Sequence, residues 1–302
     1  MSLFFVQTLR GAGRAWWDDD CTRLGASLAF YTLFAIAPVL LMATAIAGMV
    51  FRAEAVRGEI AGQLDHLVGR EGAQTVQSLL EGASQPRPGI IATLIGALAF
   101  LIASTGAFLE LQVALNTIWR VKPRPDGHFY AFVIDRLRSF GLVVAIGFLL
   151  VSLSVSAGLA ALHTWLSALS PANTTLWTIV NLSISIVVTT GLFGMLFRFL
   201  PDVRLQWKDV TTGAAVTAVL FTIGQQVIGW YLGQSTVASS YGAAGSIMVL
   251  LLWVYYSCQI VLFGAEFTRV WAARHGVKVK PEEFAVKDPE AVNPKSALAA
   301  VK

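Results

Sequence analysis

Charge is scarce in this sequence: Asp, Glu, Lys and Arg make up 13% of its 302 residues, against about 25% in an ordinary soluble domain. That shortage excludes a conventional water-exposed surface over much of the chain. Cysteine is nearly absent too. Cys21 and Cys258 form neither a CxxC nor a Cys/His spacing, which excludes a disulfide framework and a structural zinc site. The four histidines, His66, His128, His163 and His275, are scattered and build no HExxH or HxHxDH motif. Neither a Walker A sequence nor GxSxG occurs, so ATP hydrolysis and serine hydrolase chemistry lack their usual parts. No cofactor and no metal are expected, and nothing points to an enzyme.

What is there is apolar. Hydrophobic residues make up 56% of the chain, and stretches 25–51, 90–109, 176–197 and 210–265 carry no charge at all. A bilayer core about 30 Å thick takes roughly 20 apolar residues as helix, so the longer runs must turn. LSALSPANTT (166–175) and GQSTVASSYGAAGS (233–246) supply the turn residues. The second of these reads either as an outer turn or as a loop lining a cavity at membrane depth. The sequence therefore predicts an all-α polytopic membrane protein with six spans, near 27–50, 90–117, 139–165, 176–199, 210–232 and 246–270.

Around this six-span domain, 27–272, the remaining pieces are short. Segment 1–26 opens with a brief apolar stretch, turns polar unlike a cleavable signal peptide, and carries the Trp16–Trp17 pair. It predicts an interfacial helix lying on the membrane. In the outer loop 51–89, Val56, Ile60, Leu64 and Leu67, then Val76, Leu79 and Leu80, recur at helical spacing. They predict a helical hairpin, either a passive spacer or a gating lid. Residues 273–302 are rich in charge and proline and read as a disordered tail. The run Asp18–Asp20 reads as solvated.

Cations set the orientation. All but four of the 22 Lys and Arg residues fall on the side holding both termini and the 118–138 and 198–209 loops. The exceptions, Arg52, Arg57, Arg70 and Arg87, share the 51–89 loop. The positive-inside rule then places both termini in the cytoplasm. Topology accounts for the pI near 9.2, and without aromatic or helical basic signatures no nucleic-acid partner is expected.

A few polar residues sit inside the apolar spans. Glu110 lies nine residues before Trp119, about 13 Å inside the interface on a straight helix. Asn116, Arg198 and Glu266 share its cytoplasmic half under the six-span topology. Intramembrane charge is costly and marks functional candidates. One reading is ion pairing, Glu266 with Arg269 or Glu110 with Arg198; the other is a polar site at the bottom of a cytoplasm-facing cavity. Asn181, on a polar face with Ser185 and Thr189, and Gln259 belong either to that cavity or to helix–helix hydrogen bonding.

The segments ASLAFYTLFAIAPVLL (26–41), ELQVALNTIWRVKPRP (110–125) and YGAAGSIMVLLLWVYYSCQIVLFGAEFTRV (241–270) resemble the YihY/BrkB family of bacterial inner-membrane proteins. The resemblance runs from about residue 10 to 275 and implies six spans with cytoplasmic termini. It places Tyr31, Pro38, Glu110, Asn116, Tyr241, Gly242, Gly245, Trp253, Gly264 and Glu266 in family motifs, without settled roles, and adds Tyr241 to the cavity candidates. It also implies envelope-related transport, including export of lipid-like or amphiphilic molecules. An old ribonuclease label on part of the family is disfavoured by the missing His/Asp cluster. The expected function is transport or flipping of an amphiphile in the bacterial cytoplasmic membrane, with membrane lipids as partners. A non-transporting envelope scaffold or regulator is the alternative.

Overall fold

The computed structural model describes residues 2–50, 77, 106–124, 174–234, 245–277, 279–282 and 285–288. The expected outer hairpin (residue 77 apart), the span at 139–165, the first part of that at 90–117, Tyr241 and the tail beyond 288 lie outside the described residues. The described part is mostly helical: α1 (Ser2–Asp18), α2 (Cys21–Val50), α3 (106–119), α4 (Thr174–Phe199), α5 (Trp207–Gln234) and α6 (Gly245–Arg274). Three helical segments among the described residues are long and apolar enough to cross a membrane: Leu182–Phe199, Trp207–Ile228 and Ile247–Arg274. A shorter apolar segment, Cys21–Ile36, lies in α2.

Helix α1 is amphipathic. Thr8 and Ala12, four residues apart, are fully buried, while Phe4, Phe5, Val6, Leu9 and Trp17 are exposed. The helix rests on α6, where the partly exposed ring of Phe4 meets Trp271 edge to face (centroids 5.5 Å apart) and that of Phe5 meets Phe267 (5.6 Å). Asp19 and Asp20 turn the chain into α2, and Asp20 takes φ 51°, a left-handed value that Asp tolerates better than most residues.

Helix α6 packs on α5, α2 and α1, and α5 also packs on α4. The α5–α6 contact is set by a reciprocal pair. A Cβ added to Gly213 would run into the side chain of Thr268, and one added to Gly264 would run into Thr217. Each threonine donates its hydroxyl proton to the glycine carbonyl one turn back on its own helix, Thr217 to Gly213 and Thr268 to Gly264, both at 2.7 Å. The polar groups are satisfied within each helix, and the backbones approach closely.

Helix ends follow from local chemistry. At the start of α5, Asp209 reaches back to accept the Gln206 N–H at 3.0 Å, satisfying an otherwise free donor of the first turn. Gly276, at φ 73°, closes α6, with Val277 N–H donating to the Ala272 carbonyl.

The chain then folds back, contrary to the expectation of a disordered tail from residue 273. Strand β4 (Ala285–Lys287) pairs antiparallel with β1 (Val121–Pro123), which follows α3. Strand β3 (Lys280–Pro281) pairs antiparallel with β2 (Val203–Arg204), which lies between α4 and α5. Lys122 and Asp288 close the first pair with a 3.1 Å ion pair, and Asp288 N–H donates to the Arg120 carbonyl. Polar composition predicts disorder when nothing else satisfies the backbone; here two loops do. These strands are also an addition to the all-α expectation, too short to leave a pattern in sequence.

Candidate functional site

The loops after α3 and α4, the α1–α2 turn and the last turns of α6 converge at one end of the helices. Their apolar centre holds Leu115, Ile118 and Trp119 from α3, Phe197 from α4, Val203 from β2 and Leu262 from α6. Two polar clusters are embedded there.

The first is a chain of four charges. Glu266 is fully buried, and its Oε2 accepts from Arg269 Nη2 at 2.7 Å and Nε at 3.0 Å. Arg269 Nη2 also lies 3.7 Å from Asp19 Oδ2. Asp19 in turn accepts from Arg120 Nη2 at 3.0 Å (Oδ1) and 3.3 Å (Oδ2). Two carboxylates and two guanidiniums alternate, so the cluster is neutral as a whole when all four are ionised. Glu266 Oε1 and Arg120 Nε are buried and take no hydrogen bond. Backbone strain supports the arrangement, since Arg120 ends α3 at φ 57°, a value costing about 1–3 kcal/mol outside glycine.

The second cluster joins α3 to the α4–α5 loop. Asn116 Nδ2 donates to Asp202 Oδ2 at 2.8 Å, and the Asp202 N–H returns a 2.8 Å bond to Asn116 Oδ1. Gln112 Nε2 donates to Asp202 Oδ1 at 3.0 Å. Glu282 N–H donates to the Asp202 carbonyl, which brings the returning tail into the same junction.

The candidates read from sequence separate in this frame. Glu266 pairs with Arg269 as one reading held. Asn116 is buried against Asp202 instead of forming an open rim. Glu110 is half-buried in α3. No Glu110–Arg198 ion pair forms: the Arg198 guanidinium lies over the rings of Trp207 (4.7 Å to the centroid) and Phe199 (5.2 Å). Gln259 reaches the Thr22 carbonyl at 3.4 Å, with its Oε1 buried and unpartnered. Asn181 lies in α4, its side chain outside the described residues.

Asp19, Arg120, Asp202 and Gln112 were not singled out by sequence. Asp19 corrects the reading of Asp18–Asp20 as a solvated run, because its side chain is only 10% exposed and bridges two arginines. The usable signal was topology: the first helix junction, the end of α3 and the end of α6 share one side, so their charges are candidates for one another. Among the described residues no three His, Cys, Asp or Glu gather as metal ligands.

A family profile described as Virulence factor BrkB matches residues 12–288. Among curated relatives, a UPF0761 membrane protein of Ralstonia nicotianae is 30% identical over 259 residues, covering 85% of this chain and 56% of that protein. One from Rhodospirillum centenum is 28% identical over 286 residues, covering 92% of this chain and 61% of that protein. The UPF0761 membrane protein YihY of Shigella boydii is 30% identical over 194 residues, 63% of each chain. The chain thus spans about three fifths of the length of these relatives. No solved structure matches.

Proposed function

On the premise that this chain belongs to the BrkB family of membrane proteins, we propose that it moves an amphiphilic or lipid-like molecule across the bacterial cytoplasmic membrane. Both termini face the cytoplasm in this reading, so the charged end of the helices opens there. Glu266 carries the proposal. It is a fully buried carboxylate in a helix long and apolar enough to cross a membrane, with one oxygen unpartnered. Charge inside a span costs roughly 2.5–3.5 kcal/mol on insertion scales, and a pair serving only to hold helices is readily replaced by apolar packing. Glu266 and Arg269 are the proposed gate of the polar path, with Glu110, Gln259, Asn181 and Tyr241 as candidates along it. Lacking a Walker A sequence, the chain would draw on an ion gradient, a partner, or no energy source at all.

The second reading is a scaffold or regulator of the envelope. It draws support from the reciprocal pairing of Asn116 with Asp202, which uses these buried groups to hold α3 to the α4–α5 loop. Reconstituted vesicles separate the two. Fluorescent phosphatidylglycerol in the inner leaflet becomes accessible to an external quencher if the chain moves lipid, and Glu266→Gln slows that exposure. Wild-type vesicles indistinguishable from protein-free ones, for this lipid and for a panel of charged amphiphiles, favour the scaffold.

A further inference from the structure

Helices α4 and α5 meet at the turn 200–206, between the apolar segments Leu182–Phe199 and Trp207–Ile228. That turn therefore lies at a boundary between bilayer and water. Arg198 sits there, one residue from the end of α4. Trp207 and Phe199 meet edge to face at 5.9 Å, and the guanidinium lies against both rings. Trp207 is itself 45% exposed.

Arg198 differs from the other half-buried arginines of this end. Arg120 and Arg269 each have carboxylate partners. Arg198 has no ion pair and no hydrogen bond among the described residues. Its Nη1 is covered by protein and unpartnered, while the residue as a whole is half-buried. Two carboxylates of the α4–α5 connection are engaged elsewhere, Asp202 by Asn116 and Gln112, Asp209 by the Gln206 N–H. Thus a planar, half-buried cation is held by two rings at headgroup level without an anionic partner among the described residues.

The ligand chemistry follows. A guanidinium edge matches two oxygens of one phosphate better than a point cation does, and stacking on aromatic rings removes rotamer freedom before binding. The same helix face continues into the bilayer through Met195, 41% exposed, and Val187, 70% exposed, with open space at Gly191 between them. An acyl chain lying along that stripe brings its phosphate to Arg198. We propose that Arg198, held by Trp207 and Phe199, binds the phosphate of an anionic phospholipid in the adjoining leaflet. This goes beyond the transport reading and holds whether or not the chain moves a substrate.

The test is native mass spectrometry of the full chain in detergent, with dioleoyl phosphatidylglycerol, dioleoyl phosphatidylcholine or glycerol 3-phosphate added. Wild type is expected to retain phosphatidylglycerol over phosphatidylcholine, and Arg198→Gln to lower that retention about fivefold, as loss of one interfacial cation implies. Lys208→Gln, removing the exposed neighbouring cation, is expected to change it less than Arg198→Gln. Equal retention of the two lipids by wild type, or unchanged retention in Arg198→Gln, overturns the proposal. Glycerol 3-phosphate binding as well as the lipid would assign the site to a soluble phosphate ester, and overturns it too. If Arg198→Gln does not fold, wild type decides alone: a photoactivatable phosphatidylglycerol is expected to label residues 187–208. Labelling confined to other segments rules the site out.

Discussion

Asn116 and Asp202, 86 positions apart, exchange two hydrogen bonds of 2.8 Å, one between side chains and one from the Asp202 backbone. The amide supplies a donor and an acceptor at once, which neither Asp nor Leu of similar volume does. Asn116→Leu removes both of these bonds from a buried junction, a loss of about 1–3 kcal/mol. Asn116→Asp keeps the shape but sets two carboxylates against each other, and is expected to be at least as damaging. Thermal unfolding in detergent, followed with a thiol-reactive dye, measures both. The only two cysteines, Cys21 and Cys258, are 0% and 7% exposed, so labelling reports unfolding.

The four-charge chain predicts an asymmetry. Arg269→Gln strands Glu266 in a fully buried position, and breaking a buried pair costs about 3–5 kcal/mol. Glu266→Gln removes the buried charge along with the bond, and leaves Arg269 its contact with Asp19. The expected order of melting temperatures is wild type, then Glu266→Gln, then Arg269→Gln. A double variant, Glu266→Gln with Arg269→Gln, is expected to unfold later than Arg269→Gln alone. The reverse order would mean that Asp19, not Glu266, is the principal partner of Arg269.

Glycines on the same scaffold separate by what surrounds them. A Cβ on Gly213 or Gly264 collides with a threonine across the α5–α6 contact, and overpacking of this kind costs about 1–3 kcal/mol. At Gly13 in α1 and Gly191 in α4 nothing lies within 4 Å, so alanine there gains up to about 1 kcal/mol of helix propensity. Melting of the four single alanine variants is expected to split two down and two level or up.

Sequence carried the long helices well because their signal is local. Runs near 176–199, 210–232 and 246–270 became Thr174–Phe199, Trp207–Gln234 and Gly245–Arg274. The extra residues include polar ones that hydropathy assigns to water but that helix capping keeps, as Asp209 does for α5. Helix α2 begins at Cys21, earlier than expected, because Thr22 and Arg23 are polar yet continue the helix. The site was legible only in part. Glu266–Arg269 is an i, i+3 spacing on one helix and can be read directly. Asp19 with Arg120 spans 101 positions, and nothing local distinguishes Asp19 from its two acidic neighbours. Arg198 was expected to seek a carboxylate; adjacent aromatics, whose attraction for a cation is weaker but already in place, hold it instead.

The returning tail yields the last prediction. Strands β3 and β4 tie the loop after α3 to the loop after α4 through backbone pairing and the Lys122–Asp288 ion pair. Each backbone hydrogen bond contributes about 1 kcal/mol net, and the exposed ion pair adds at most about that much. The pairing also covers Val203, 1% exposed, and Val121, 4% exposed. Ending the chain at Val277 removes all of this while leaving α6 and its closing turn. Helix content is expected to stay close to wild type, because the spans do not depend on the tail. Trypsin is expected to cut after Arg204 several times faster, since that bond then lies in a loop without its paired strand. Val286→Pro offers the milder version, because it deletes one N–H from the β1–β4 pair without shortening the chain. Its effect should fall on the α3 side, leaving cleavage after Arg204 nearer wild type. If both changes leave the Arg204 site as resistant as before, the two loops are held by other contacts, the bonds of Asn116 and Gln112 to Asp202 among them, and the tail only rests on them.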